Sequence, residues 1–230
     1  MFKNIFTLVI AIFAVMYVSE AGKTEEIMQD VKAAYGFTEG KEITSAEMTI
    51  DVSRSGMNQN MKYYFEEPEK FRMETSAMGQ DIVMVYNGVE GWIKAQGAVQ
   101  AMPDQALPQL QMYKSAIEDP FSEYSKEGAE IKVKGKEVID GTECWKLAAT
   151  TADGNQSTIY VDDETNLLVQ VVSDQNGQEI TQDIEEHMTV GEFKIASKIN
   201  ISTPQGSMSI EIKNAKINED VDDSLFTKPQ

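Results

Sequence analysis

The residues best suited to nucleophilic or acid–base chemistry are one histidine and one cysteine. His187, the chain's single imidazole, follows Glu185 and Glu186. Neighbours on a strand point to opposite faces, so we interpret His187 as a partly exposed strand-end residue rather than half of a catalytic dyad. Cys144 stands beside Trp145 with no cation cluster in the sequence around it, which favours a buried and unreactive thiol. Because no recognised catalytic motif accompanies them, we expect a protein that is not an enzyme.

Acidic residues form three clusters, at 162–164, 183–186 and 219–223. Carboxylate oxygens could hold calcium, but none of the clusters has the spacing of a calcium-binding loop. We interpret them as solvated turns, and we predict neither a metal nor a cofactor. A secreted enzyme that uses carboxylates is an alternative, and it requires a pair of acids that converge in a cleft. Acids confined to turns do not favour it.

The charge of the chain excludes whole classes of partner. Acidic residues number 38 against 20 basic ones, for a formal net charge of −18. A chain of this charge is repelled by phosphate backbones and by anionic bilayer surfaces. We therefore expect no nucleic-acid partner and no electrostatic docking on a membrane. The single cysteine also excludes an intrachain disulfide.

Methionines are frequent on the apolar faces of the predicted strands. Five of them have this position: Met48, Met61, Met73, Met84 and Met208. Methionine is flexible and polarisable, so it adapts to apolar neighbours of varied shape. One interpretation is ordinary core filling, and the other is the wall of a cavity that holds an acyl chain. The residues themselves leave both interpretations open.

The secondary-structure elements that position these residues are predicted to form one long antiparallel meander. A helix is predicted first, with Thr24 as its N-cap and Gly36 as its stop. Residues 46–52 then alternate between apolar and polar with period two, and similar runs follow along the chain. Asparagine–glycine and aspartate–glycine pairs at 87–88 and 153–154 mark turns between them. We predict a mainly β domain of about 10–12 strands, folded as a barrel or a strongly curved sheet.

One segment, residues 102–121, interrupts the strand pattern. It contains Pro103, Pro108 and Pro120, and Asp104 is a candidate helix cap. The spacing suits a short helix that is opened or interrupted by proline. A helix inserted between two strands of a curved sheet often covers an open end, so we expect this segment to act as a cover.

Residues 1–21 have the pattern of a secretory signal peptide. A lysine precedes an apolar run at 5–18, which is shorter than the roughly 20 residues needed to span a bilayer. Ser19 and Ala21 are small residues at the −3 and −1 positions of a cleavage site. We predict cleavage after Ala21 and a soluble exported domain at 22–230. The alternative is a membrane anchor that is retained.

Residues 64–73 have a strand–proline–strand pattern, and residues 87–92 form a turn that ends in tryptophan. Both resemble motifs of the LolA-like family, the periplasmic carriers of outer-membrane lipoproteins. Residues 140–147, followed by 160–162, resemble the branch of outer-membrane lipoprotein-sorting proteins. Residues 222–229 resemble the family's terminal motif with leucine, phenylalanine and proline. The order and spacing of the motifs together carry the resemblance.

The resemblance implies a single half-open antiparallel β-barrel around an apolar cavity, with an N-terminal helix and a short helical lid. It assigns nine residues to the cavity wall: Met48, Ile50, Met61, Tyr63, Phe65, Phe71, Met73, Met84 and Trp92. It places Leu107, Leu110 and Ile117 on the lid. The family's carriers have an arginine just before the corner proline, where this chain has Glu67. Arg72 is the nearest arginine in the corner, which makes it the candidate contact to lid or cargo.

The function that the resemblance implies is that of a soluble periplasmic carrier. Such a carrier binds the acyl chains of lipoproteins, or another lipid, for sorting to the outer membrane. Its implied partners are an inner-membrane release complex and an outer-membrane acceptor. The alternative is a binding or envelope-sensing module of the same fold, in which a hydrophobic ligand regulates a protein partner.

Overall fold

The computed structural model describes residues 21–230 except 78, 112 and 176. Residues 1–20 of the predicted signal peptide therefore lie outside the described residues. Within the described part of the chain, no helix is both long enough and apolar enough to span a membrane. The predicted cleavage after Ala21 stays a prediction.

The described residues group into two compact units. The first unit comprises residues 21–34 and 120–180. The second unit comprises residues 35–119 and 181–230, and it contains the lid segment and all the residues predicted to line the cavity. The prediction that the chain after the signal peptide forms one domain remains a prediction.

Antiparallel strands dominate the described chain and follow an N-terminal helix, α1 (21–35). The strands are β1 (Ser45–Arg54), β2 (Met57–Glu66), β3 (Lys70–Ala77), β4 (Gln80–Asn87), β5 (Gly91–Ala95), β6 (Ala98–Ala101), β7 (Glu130–Ile139), β8 (Thr142–Thr150), β9 (Gln156–Asp162), β10 (Leu168–Gln175), β11 (Gln178–Val190), β12 (Phe193–Thr203) and β13 (Gly206–Ile217). They pair in the order β6-β5-β4-β3-β2-β1-β13-β12-β11-β10-β9-β8-β7. This confirms a mainly β fold built from one open antiparallel sheet.

The described part has 13 strands, slightly more than predicted from the sequence. β6 is only four residues long, so it carries too few residues for alternation to be recognised. β7 is mostly exposed and rich in lysine, and it lies at one end of the strand order. Lysine-rich edge strands lack the apolar alternation by which half-buried strands are recognised.

The boundaries of α1 confirm one prediction and correct another. The helix ends before Gly36, whose φ of +89° is left-handed, and a Cβ at this position would collide with the carbonyl oxygen of Glu192. Glycine is therefore required at this stop. Thr24 is not the N-cap, because the helix already includes residues 21–23. Its Oγ1 instead accepts a hydrogen bond from the backbone N–H of Val133, at 3.0 Å.

Cys144 is a buried thiol of the first unit. The side chain is fully buried on β8. Burial raises the pKa of the Cys144 thiol, which disfavours the nucleophilic thiolate. On the neighbouring position of the same strand, Trp145 lies between the ammonium groups of Lys23 and Lys136, at 4.8 and 4.9 Å from its ring centroid. Both observations agree with a structural role for these residues.

His187 belongs to the second unit, where it is half-buried on β11. Its Nε2 and the hydroxyl of Tyr35 form a hydrogen bond of 2.7 Å, and the two rings meet edge to face. Burial, with a smaller contribution from the charge of Lys194, lowers the pKa of His187 to about 4. The imidazole is therefore neutral near pH 7, and its partner is the phenol of Tyr35 rather than an acid.

We expect His187 to make stability depend on pH. Because its folded pKa of about 4 lies below the usual 6.5, protons bind the unfolded chain preferentially between those values. The contribution of the neutral imidazole to the free energy of unfolding is thus complete above pH 6.5 and is lost as the pH falls toward 4. His187→Gln should abolish it, so the stability advantage of the natural chain over this variant should shrink by about 1 kcal/mol between pH 7.5 and about pH 5. Urea unfolding at both pH values measures this, and a constant difference would contradict it.

Candidate ligand-binding site

One face of the sheet in the second unit carries a continuous apolar cluster. Strand register brings the predicted wall residues together on this face, since Met48 pairs with Tyr63 and Phe65 pairs with Phe71. The predicted wall residues that meet in the cluster are Met48, Ile50, Met61, Tyr63, Phe65, Phe71, Met84 and, packed against its side, Met73. The alternation of each strand is the cause, because every second residue points to the same face.

The cluster extends onto strands that the sequence did not assign to the wall. Phe193 and Ile195 of β12 and Ile210 and Ile212 of β13 are buried in it. Their alternation is visible in the sequence, but the pairing of β13 with β1 is a long-range contact that alternation does not reveal. The wall is therefore wider than predicted.

The lid, residues 104–117, covers this cluster with short irregular elements. It consists of a 3₁₀ turn (Asp104–Ala106), the five-residue helix α2 (Leu107–Gln111) and a second 3₁₀ turn (Lys114–Ala116). Leu110 and Ile117 are 0% and 1% exposed and belong to the cluster, and Leu107 packs against its edge. All three predicted lid residues therefore touch the predicted wall, and in this state lid side chains fill the space beside it.

Aromatic and charged groups attach the lid to the wall. The rings of Tyr113 on the lid and Tyr63 on the wall have centroids 5.6 Å apart. Lys114 Nζ lies 4.7 Å from the ring centroid of Phe65, and it forms an ion pair of 2.8 Å with Glu118. Sequence analysis did not assign these lid residues a role, although they lie between the apolar lid positions at helical spacing.

The hydroxyl of Tyr63 is a polar atom buried inside the apolar cluster. It is buried, and it has no hydrogen-bond partner among the described residues. Burial, followed by the charge of Glu118 and the neighbouring Tyr113, raises the pKa of Tyr63 well above its usual value. The hydroxyl is therefore protonated and available as a donor.

Trp92 does not lie in the cluster, which corrects its predicted position. It pairs with Val85, whereas the adjacent pair on the cluster face is Ile93 with Met84, so Trp92 points to the opposite face. It lines a groove of about 530 Å³ together with Leu107 and Met102, which also pack against the edge of the cluster. The volume is within the usual range of ligand pockets, roughly 300–1,000 Å³.

Arg72 also lies on the opposite face, away from the lid, which corrects its predicted contact with lid or cargo. Its register partners are Tyr64 and Val85, not residues of the cluster. Arg72 Nη1 donates to the carbonyl oxygen of Leu225 at 2.8 Å, and Nε donates to Glu74 at 2.7 Å. The guanidinium therefore holds the C-terminal strap, residues 219–230, on the outer face of β3.

Further contacts hold the strap in place. Lys70 Nζ forms an ion pair of 2.7 Å with Asp223, and it lies 5.6 Å from the ring centroid of the buried Phe226. Asp222 accepts a hydrogen bond of 2.8 Å from the backbone N–H of Ser224, which caps the 3₁₀ turn of the strap. Residues 222–229, which resemble the terminal motif of the family, thus form the contacts that hold the strap on the sheet.

We expect Arg72→Ala to loosen the strap without affecting the cluster. The side chain is 15% exposed, and hydrogen bonds involving a charged donor contribute more than neutral ones, so the free energy of unfolding should fall by about 1–2 kcal/mol. Chemical denaturation measures the loss. Arg54→Ala, at the exposed end of β1, is the matched control and should change stability by less than about 0.5 kcal/mol. Equal losses in the two variants would contradict this role.

The acidic clusters show no metal-binding arrangement within the described part of the chain. No group of three or more histidine, cysteine, aspartate or glutamate side chains there could hold a metal ion. The cluster at 183–186 lies within β11 rather than in a turn, which corrects its interpretation. Lys198 Nζ lies 2.7 Å from the carboxylate of Glu185 and 3.9 Å from that of Glu186, so these acids face a lysine.

The fold and the site together define a class of protein: an open antiparallel sheet whose apolar face is covered by a short helical segment. Neither a family model nor any curated protein matches the sequence. Solved structures do match. One is an outer membrane lipoprotein-sorting protein domain from Vibrio parahaemolyticus, with a TM-score of 0.58, 15% identity and coverage of 90% of this chain and 97% of that one.

Two further structures have the same fold. One is a LolA superfamily protein from Nitrosomonas europaea, with a TM-score of 0.56, 13% identity and coverage of 89% of this chain and 97% of that one. The other is a DUF1329 family protein from Desulfovibrio piger, with a TM-score of 0.57, 12% identity and the same two coverages. The chain therefore has the fold of the LolA superfamily, and the resemblance in the sequence is confirmed at the level of the fold.

Proposed function

We propose that this protein is a periplasmic carrier that binds acyl chains of lipoproteins, or of another lipid, on the apolar cluster of its second unit. The observation that carries the proposal is the position of Leu110 and Ile117. They are fully buried against the wall, yet they belong to a lid of very short elements. Segments of this kind open at lower free energy than strands at the centre of a sheet. The fold shared with a lipoprotein-sorting domain supports the proposal.

The energies favour exchange of the lid side chains for an acyl chain. Withdrawing Leu110 and Ile117 from the cluster costs about 1.5–3 kcal/mol for each side chain. An acyl chain regains about 0.8 kcal/mol for each buried CH₂, so about four to eight buried CH₂ groups offset the loss. Long acyl chains exceed that number. The groove lined by Trp92 and Leu107 lies at the edge of the lid and is the proposed entrance.

The charge of the protein is consistent with a carrier that moves between surfaces. A net charge of −18 prevents adhesion to anionic bilayers, so the acyl cargo must be delivered through contacts with proteins. Docking partners in the release and acceptor steps should present basic surfaces, because complementary charge accelerates association.

Native mass spectrometry of the protein purified from a periplasm, followed by organic extraction, tests the proposal. Discrete added masses that extract as acylated lipid or lipopeptide are the expected result. A well-folded protein that is empty and also takes up no lipid probe would overturn it, and would favour a sensing module that acts through a protein partner.

A further inference from the structure

With the lid packed on the wall, the hydroxyl of Tyr63 has no evident structural role. It lies inside an apolar cluster, fully buried and without a hydrogen-bond partner among the described residues. A phenylalanine would make the same ring contacts with Phe71 and Tyr113 without leaving a buried donor unsatisfied. Since buried polar groups are nearly always satisfied, this atom suggests a second state in which an acceptor reaches it.

The surroundings of the hydroxyl restrict the kind of acceptor. Phe71 and Met73 flank Tyr63 on the neighbouring strand, so the wall itself supplies only apolar side chains nearby. Glu118 acts on Tyr63 through its negative charge, but it is paired with Lys114, so the two charges largely offset each other. An anionic acceptor would lose its hydration among the apolar side chains of the cluster, which disfavours it. A neutral acceptor, such as a carbonyl oxygen, loses far less hydration.

We infer that Tyr63 Oη donates a hydrogen bond to the ester carbonyl of a bound acyl chain once the lid has withdrawn. This inference rests on the proposed function, and it narrows the ligand class from any hydrophobic chain to esterified acyl chains. The apolar wall binds the hydrocarbon, and Tyr63 fixes how deep the ester enters. Phospholipids and diacylglyceryl lipopeptides both carry the required ester.

The test compares ester-linked probes with ether-linked analogues of the same chain length. One pair is diacyl and dialkyl phosphatidylethanolamine, and the other is a short lipopeptide that carries a diacylglyceryl or a dialkylglyceryl group. Affinity for each is measured for the natural protein and for Tyr63→Phe. A net hydrogen bond corresponds to a preference for the ester of about 2- to 12-fold. Tyr63→Phe should lose the preference and keep the affinity for the ether, while the control Tyr64→Phe, on the opposite face of β2 beside Arg72, should keep both.

The outcomes separate the inference from the proposed function. If the natural protein binds no probe, the proposed function fails. If it binds ester and ether equally, or if Tyr63→Phe keeps the preference, the inference fails while the carrier function stands. The pair of probes that shows the preference identifies phospholipid or lipopeptide as the source of the ester. If Tyr63→Phe does not fold, equal binding of ester and ether by the natural protein still overturns the inference.

Discussion

Leu110→Asp should release the lid while the sheet stays folded. An ionised carboxylate at this fully buried position would cost several kcal/mol, whereas withdrawing the lid sacrifices the burial of Ile117, about 1.5–3 kcal/mol, and the weaker contacts of Tyr113 and Lys114 with the wall. Withdrawal is the cheaper response. The variant should therefore bind a hydrophobic dye more strongly than the natural protein and keep its far-ultraviolet circular dichroism. Its free energy of unfolding should fall by about 3–6 kcal/mol, the combined burial of Leu110 and Ile117.

The matched control is Gln111→Asp, which places the same charge on the exposed side of α2. It should change neither dye binding nor stability by a measurable amount, since exposed substitutions seldom exceed about 0.5 kcal/mol. Unchanged dye binding in Leu110→Asp would show that the lid does not separate from the wall. Loss of the β-sheet signal would show that lid and sheet unfold as one unit.

Phe65→Ala should cause a loss of comparable size through a different mechanism. Phe65 is fully buried, its ring stacks on Phe71 with centroids 5.5 Å apart, and Lys114 Nζ lies 4.7 Å from its ring centroid. Truncation leaves a cavity that the neighbouring strands cannot fill, and buried phenylalanine-to-alanine changes typically cost about 3–5 kcal/mol. Urea unfolding of the full chain measures the loss.

Val89→Ala is the control for Phe65→Ala, because Val89 is 83% exposed. It should remain within about 0.5 kcal/mol of the natural protein. A loss below about 1 kcal/mol in Phe65→Ala would mean that the wall is loosely packed, and the apolar cluster would then be a poor candidate for a well-shaped binding surface.

Local alternation explains which parts of the site could be predicted from sequence. Met61, Tyr63 and Phe65 recur at every second position, so their common face follows directly from strand geometry. The lid was predictable because three prolines interrupt the strand pattern between 102 and 121. Its docking on the wall came from the family resemblance, since period and proline spacing carry no information about distant contacts.

The wrong predictions for Trp92 and Arg72 also have specific structural causes. Trp92 and Ile93 are adjacent and both apolar, so a shift of one residue decides which of them faces the cluster, and only the register with Val85 and Met84 resolves it. Arg72 was assigned to the lid because of its place in the chain, while its partner Leu225 lies 153 positions further on. The sequence likewise does not predict that the hydroxyl of Tyr63 lacks a hydrogen-bond partner. That property depends on which side chains surround it in the folded chain.

The pairing of β1 with β13 has a consequence for the order in which the chain acquires its structure. The second unit combines two chain segments, 35–119 and 181–230, which are separated in the sequence by residues 120–180. β1 can therefore pair with β13 only after more than 150 further residues have been synthesised. Strands β7 to β10 pair with their neighbours along the chain, whereas contacts across long sequence separations form slowly. During synthesis, the apolar face of β1 to β4 would therefore stay incomplete until the last strand emerges. A chaperone that shields this face during that interval would limit aggregation.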